Sequence, residues 1–285
     1  MKIFLAGATG VVGQPLVALL VEAGHAVVGA TRTAGKASLL RQLGARPVVV
    51  DVFDRDGLAA ALGDARPDAV IHQLTDLGAG DTAANARLRA EGTRNLVDAA
   101  RDAGVRRLVA QSIAWAYAPG EGPAREGEPL DVGAPPPRRT TVEGVVALER
   151  AVAAMDVGVV LRYGVLYGPG TWYAPGGSVA ERARRGELPA DAGVTSFVHV
   201  ADAARAALLA LDWPAGSVNV VDDEPAPASV WLPAYAAALG ALPPPSTTPE
   251  RPRGARGASN AKACNELGWI PLYPSWREGF PCMLR

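Results

Sequence analysis

The sequence predicts an α/β fold: a doubly wound parallel sheet with a smaller, partly interleaved C-terminal lobe. Three observations carry this. Over the first 165 residues, short apolar runs alternate with longer amphipathic segments, the rhythm of strand–helix–strand units. The apolar runs are continuous, as strands buried on both faces require. A glycine-rich turn, GATGVVG (7–13), joins the first run to the first amphipathic segment.

In order, KIFLA (2–6), AVVGA (26–30), PVVV (47–50), DAVIHQL (68–74), RRLVAQS (106–112) and VGVVLRY (157–163) read as strands. Helices are expected at 11–23, 82–103 and 140–155. In the last, Thr140 and Glu143 nearly form a capping box. Beyond Gly164 the rhythm breaks into turn-rich stretches at 168–177 and 186–196. A strand and helix follow over 196–212, then a strand at 217–221 and a helix near 228–240. LPPPSTTPERPRG (242–254) reads as a Pro-rich connector. The expected division is therefore 1–165, with 197–222 returning to it, against a small lobe of 166–196 and 223–285.

The bulk properties exclude several classes. A chain of 285 residues, 49% hydrophobic, can bury a full core. A net charge of −1 gives no electrostatic reason for nucleic acid or anionic membrane as partner. Cys264 and Cys282 lack metal or redox spacing and point to a reducing compartment. No apolar run reaches the roughly 18 residues of a membrane span. With a strand beginning at Lys2, a cytoplasmic protein is expected. Lys2, Lys36 and Lys262 are the only lysines.

Gly7, Gly10 and Gly13 let the backbone turn sharply and approach a pyrophosphate, which the helix N-terminus would bind through its N–H groups. This is the phosphate cradle of a Rossmann-like fold, with Thr9, Val11 and Val12 completing the turn. No acidic residue occurs between Glu22 and Asp51 to meet a ribose hydroxyl. Thr31, Arg32 and Lys36 stand there instead, which favours the 2′-phosphate of NADP over NAD. Asp51 and Val52 would flank the adenine.

GATGVVG, EGTRNLVDAARDAGVRRLVAQS (91–112), LRYGVLYGPG (161–170), SFVHVADAARA (196–206), VNVVDDEP (218–225) and ELGWIPLYPSWREGF (266–280) together resemble the extended or atypical short-chain dehydrogenase/reductase superfamily, in its NAD-dependent epimerase/dehydratase branch. The resemblance covers nearly the whole chain. It implies a nicotinamide dinucleotide, with Leu74 and Thr75 beside it at the exit of the fourth strand. It also implies a catalytic Ser or Thr after the fifth strand and a Tyr-x-x-x-Lys pair on the following helix. Here the pair is missing: aligning ALERAV (147–152) puts Thr141 at the tyrosine and Val145 at the lysine. No lysine lies between Lys36 and Lys262 to rescue it.

Ser112 matches one member of the family's serine run, with Ile113 at the more usual catalytic place. Ser112 either bonds substrate or nicotinamide, or satisfies a strand end. Tyr163, directly after the sixth strand, and Tyr117 are the candidate replacement proton donors, each alternatively a packing ring. Thr141 is the remaining hydroxyl. Tyr167 and His199 read as structural, and His72 as a core or near-cofactor residue. No His/Cys/carboxylate cluster suggests a metal. The Gly/Pro stretch 118–139, with Trp172 and Tyr173, reads as a substrate rim for an apolar or polyketide-like metabolite of secondary metabolism.

The expected activity is an NADP-dependent oxidoreductase with a non-standard active site. The alternatives are a non-redox tailoring enzyme (dehydration, cyclisation or epoxide opening) and an NADP-sensing regulator. The family resemblance further implies a homodimer, with Leu88, Leu96, Val142, Val145 and Val146 supplying apolar surface for the core or a partner.

Overall fold

The computed structural model describes residues 1–76, 81–244 and 249–283. The expected alternation is present. β1 (Lys2–Ala6), α1 (Gly13–Glu22), β2 (Ala26–Thr31), α2 (Ala37–Gln42), β3 (Arg46–Val49), α3 (Arg55–Ala65) and β4 (Ala69–His72) open the chain. After them, α4 (Thr82–Arg87), a π-helical turn (Leu88–Gly92) and α5 (Thr93–Asp102) run as one continuous helical segment into β5 (Arg107–Ile113), α6 (Arg138–Val152) and β6 (Val157–Tyr163). With β10 (Gly216–Val220), the long strands form a seven-stranded sheet in the order β10-β6-β5-β4-β1-β2-β3. β1 pairs in parallel with both β2 and β4, so the strand order reverses there. Dinucleotides bind at such a switch point.

Residue chemistry explains these elements. β4 reads AVIH, every side chain buried, because helices cover both faces of the sheet. Asp54 caps α3 by accepting from the Gly57 N–H at 3.0 Å. The helix carrying the altered motif starts earlier than expected. Pro137 is its N-cap, no side chain caps it, and Thr140 lies inside the first turn, so the expected capping box does not form.

The remaining elements are β7 (Val165–Tyr167), α7 (Ser178–Arg184), β8 (Val194–Thr195), β9 (Phe197–His199), α8 (Val200–Leu209), β11 (Ala226–Pro227), α9 (Ala228–Ala238), α10 (Ala261–Asn265) and α11 (Trp276–Cys282). Part of the expected Pro-rich connector lies outside the described residues. The chain divides into two compact units. The first comprises Met1–Ser112, Val132–Leu161 and Ala204–Ser217; the second comprises Ile113–Asp131, Arg162–Ala203 and the chain from Val218 on. Residues 113–131 therefore leave the nucleotide-binding unit expected to hold them. Polar contacts explain why: Tyr117 donates to Asn219 Oδ1 at 2.7 Å, and Arg256 donates to Glu128, Gly122 O and Glu121 O.

Each unit has its own core. In the first, Phe4, Val28, Leu58, Leu62, Val70, Leu96, Leu108, Leu148 and Val160 pack together. Of the apolar residues expected to serve the core or a partner, Leu88, Leu96, Val142 and Val145 are buried within this chain and Val146 is partly exposed. The second unit's core is aromatic. Phe197 stands edge-on to Trp231 at 5.1 Å and to Phe280 at 5.3 Å, with Tyr167, Tyr235 and Trp276 in the same cluster.

Candidate active site

The first unit carries the cradle. Gly7 sits at φ +87°, a left-handed conformation, and a Cβ there would lie 2.6 Å from the Gln73 carbonyl oxygen. A Cβ on Gly13 would lie 2.1 Å from the Gly7 oxygen. α1 has no side-chain cap and no acid in its first turn. Its first N–H groups and positive dipole end are thus not countered by any carboxylate of that turn. The residues fit a dinucleotide pyrophosphate: the turn is as tight as glycine allows, and the helix start suits an anion.

At the second strand's exit, Thr31 Oγ1 lies 3.5 Å from Thr9 Oγ1 and accepts from Thr33 N–H. Arg32 is half exposed and pairs loosely, at 3.6 Å, with Asp76, a partner the sequence did not reveal. Lys36 is exposed at the start of α2. Asp51 differs from expectation: its Oδ1 accepts from Phe53 N–H at 2.9 Å, a local turn that occupies one oxygen meant for adenine. Val52 is buried against the helix at Gly92, and its carbonyl accepts from Asn95.

Leu74 and Thr75 follow β4, where His72 is fully buried and held neutral, its pKa lowered to about 4 by burial and by the Arg89 charge. Leu74 N–H donates to its Nδ1 at 3.1 Å, so the remaining ring proton lies on Nε2 and donates to Thr93 Oγ1 at 2.9 Å. His72 thereby fixes the loop whose Gln73 carbonyl closes on Gly7.

On α6, Thr141 and Val145 are both buried on the face that includes Val142 and Leu148. Gly144 brings this helix against α4, since a Cβ there would lie 3.0 Å from Ala86 Cα. No described residue engages the Thr141 hydroxyl. Ser112 does not stand free for chemistry: it is buried and donates to Glu149 Oε1 at 2.8 Å, tying β5 to α6.

The second unit resolves the tyrosines. Tyr163 is buried and donates to the Ala203 carbonyl at 3.1 Å. Tyr117 is buried, donates to Asn219, and accepts from Arg162 Nη1 at 2.7 Å; burial pushes its phenol up. Both phenols serve buried hydrogen bonds. Tyr173 packs against Phe197, Trp231 and Tyr235, whereas Trp172 is exposed. Within 118–131, expected to be rim, Ala118 N–H donates to the Pro129 carbonyl and Asp131 N–H to the Ala116 carbonyl, and Arg253 forks onto Asp131 at 2.7 and 3.0 Å. His199 is neutral, lowered to about 4 by burial, and stacks on Tyr273. Among the described residues no group of His, Cys, Asp and Glu could hold a metal, and no helix is long and apolar enough to cross a membrane.

Residues 3–221 match the NAD dependent epimerase/dehydratase family. The chain is 50% identical to a 3-diazoavenalumate denitrifying reductase from a Streptomyces species, over 98% of this chain and 99% of that one. It superposes on a Thermotoga maritima UDP-glucose 4-epimerase solved with UDP-glucose at a TM-score of 0.81, with 22% identity, covering 100% of this chain and 97% of that one. A Thermus thermophilus UDP-glucose 4-epimerase in complex with NAD gives 0.74 with 27% identity, covering 100% and 98%. The glycine cradle, the switch-point sheet and these matches agree: the chain belongs to the NAD-dependent epimerase/dehydratase family and is an NAD(P)-dependent oxidoreductase of the extended short-chain dehydrogenase/reductase type.

Proposed function

We propose that this protein is an NADPH-preferring reductase that removes the diazo group of a small, largely apolar carboxylic acid as dinitrogen. The observation that carries the reading is on α6, where Thr141 and Val145 are buried at the positions that the family resemblance gives to a proton-donating pair. Reducing a ketone builds negative charge on oxygen, and the family's tyrosine and lysine exist to supply that oxygen's proton. Reductive loss of a diazo group has no such demand.

With its pyrophosphate held in the cradle, NADPH would supply a hydride from its nicotinamide. The acceptor R–N2⁺ takes it: the hydride pair becomes the new C–H bond and the C–N pair leaves with dinitrogen. The oxidised cofactor remains, and no proton enters the balance. The chain's own residues bind and position. Gly7, Gly10 and Gly13 hold the pyrophosphate, and the His72–Thr93 bond fixes the neighbouring loop. Val145 keeps its face of α6 dry. A half-identical relative whose named reaction is such a denitrification supports the substrate class.

Arg32 and Lys36 support NADPH. The loose Asp76 contact, between two partly exposed side chains, is a weak tie that a doubly charged 2′-phosphate would replace. The test uses NADPH carrying deuterium at the transferred position and 3-diazoavenalumate. Dinitrogen should evolve, and deuterium should appear on the carbon that bore the diazo group. Failure to oxidise the cofactor, or a product without deuterium, would refute the reading. In parallel titrations NADPH should bind at least tenfold tighter than NADH, and Arg32→Ala should erase that margin.

A further inference from the structure

Three arginines are buried, and two are anchored. Arg162 donates to the Tyr117 hydroxyl and the Glu126 carbonyl, and Arg256 is held by Glu128 and two carbonyls. The third, Arg89, is only 6% exposed, yet no described residue gives it a hydrogen bond or an ion pair. None of its nitrogens is among the sealed atoms that lack a partner. Burial alone lowers its pKa, to about 10, with no neighbouring carboxylate opposing the shift.

The local sequence creates this arrangement. Arg89 lies in the π-helical turn Leu88–Gly92, where a widened turn re-aims side chains, a feature frequent at functional sites. Glu91, the acid nearest in sequence, turns outward to Arg87 at 2.7 Å. Arg89 lies one turn beyond Ala86, which packs on Gly144 of α6, the helix that lacks the family lysine. Its charge reaches His72 at the C-terminal end of β4, beside the cradle. His72 is already neutral and offers no anion.

We propose that Arg89 is the receptor for the anionic group of the substrate, a carboxylate, which completes a buried cation that the described residues leave unpaired. A guanidinium binds a carboxylate through two parallel N–H donors, and a partly desolvated one does so strongly. The ligand class rests on the reductase reading above; the site itself does not. An arginine retained for structure would have partners, and one retained for binding would weaken the empty protein.

The experiment uses the full chain saturated with NADP. Calorimetry follows trans-cinnamate, a planar unsaturated acid without a diazo group, and its uncharged methyl ester, on the native protein and on Arg89→Met. The variant should bind cinnamate at least about tenfold more weakly, the loss expected for a charged hydrogen-bonded pair. Both proteins should bind the ester equally and NADP equally, and Arg89→Met should melt at a higher temperature. Arg89→Lys should recover part of the cinnamate affinity. The proposal is overturned if the native protein does not bind cinnamate, if Arg89→Met binds it unchanged, or if that variant loses melting temperature and NADP affinity together. Should 3-diazoavenalumate prove inert while cinnamate binding still depends on Arg89, the reductase reading falls and this site stands.

Discussion

Replacing Gly13 by alanine adds one methyl group to the start of α1, and the structure predicts what that does to the cofactor. Gly13 has no left-handed φ, so its backbone tolerates any residue and the whole effect must come from contact. The new Cβ would lie 2.1 Å from the Gly7 carbonyl oxygen and 2.9 Å from Ala8 Cα and C, all backbone. Restoring ordinary contact at 3.4 Å moves the carbonyl by about 1.3 Å. That carbonyl accepts from Gly10 N–H at 3.0 Å, so the turn loses a bond with a net contribution of about 1 kcal/mol. More costly is the cradle itself, since displacing positioned groups by about 1 Å costs on the order of a hundredfold. We expect Gly13→Ala to weaken NADPH and NADH binding by ten- to a hundredfold, alike for both, in calorimetric titrations. Gly63→Ala is the control: nothing lies within 4 Å of its Cβ in α3, so stability should rise by about 0.5–1 kcal/mol with unchanged cofactor affinity. Native affinity in a well-folded Gly13→Ala protein would refute the assignment of this turn to the pyrophosphate.

Tyr163→Phe and Tyr117→Phe should each lower the melting temperature, because each removes a buried hydrogen bond, while turnover per folded molecule stays within about twofold; a tenfold loss of turnover would restore the phenol as proton donor. The pH dependence of stability follows from three buried groups. His72 and His199, both held neutral down to about 4, protonate in the unfolded chain below 6.5, so the stability they contribute is lost as pH falls through that window. Asp222, pushed up to about 8 by burial, keeps a proton that the unfolded chain releases, so stability is lost as pH rises from 3.8 to 8. Two slopes against one put the melting-temperature maximum near pH 6.5, and Asp222→Asn should abolish the decline above it; a variant that still declines would show that Asp222 is not the cause.

Much of the fold was legible because its signals are local. Continuous apolar runs identify strands buried on both faces, while Gly7 is required by its left-handed backbone and Gly13 by the close approach of the Gly7 carbonyl. No lysine lies between Lys36 and Lys262, so that absence was read directly from the chain. What escaped were partnerships across long separations. Ser112 reads as a catalytic hydroxyl until Glu149 is seen to accept from it. Tyr117 reads as a pocket residue until Asn219, 102 positions away, is seen to accept its hydrogen bond. Arg89 gave no signal at all: one arginine among 25 in a helical pattern does not reveal that the helix widens there and leaves its charge alone.

The second unit's acids have a consequence for how the chain is made. Asp202 accepts from the Leu272 and Tyr273 N–H groups at 2.6 and 3.0 Å, and Asp222 accepts from Trp276 N–H at 3.1 Å. Trp276 and Phe280 then fill the aromatic core. During synthesis the first unit has all its segments once residue 217 has emerged, whereas the second lacks both the donors for its buried carboxylates and two of its largest core rings until about sixty residues later. The nascent protein therefore passes through an interval with one unit complete and the other holding Tyr167, Phe197 and Trp231 without their covering helix α11. That interval is when a chaperone has most to bind, and a stall in translation between 217 and 276 should increase aggregation more than a stall after 283.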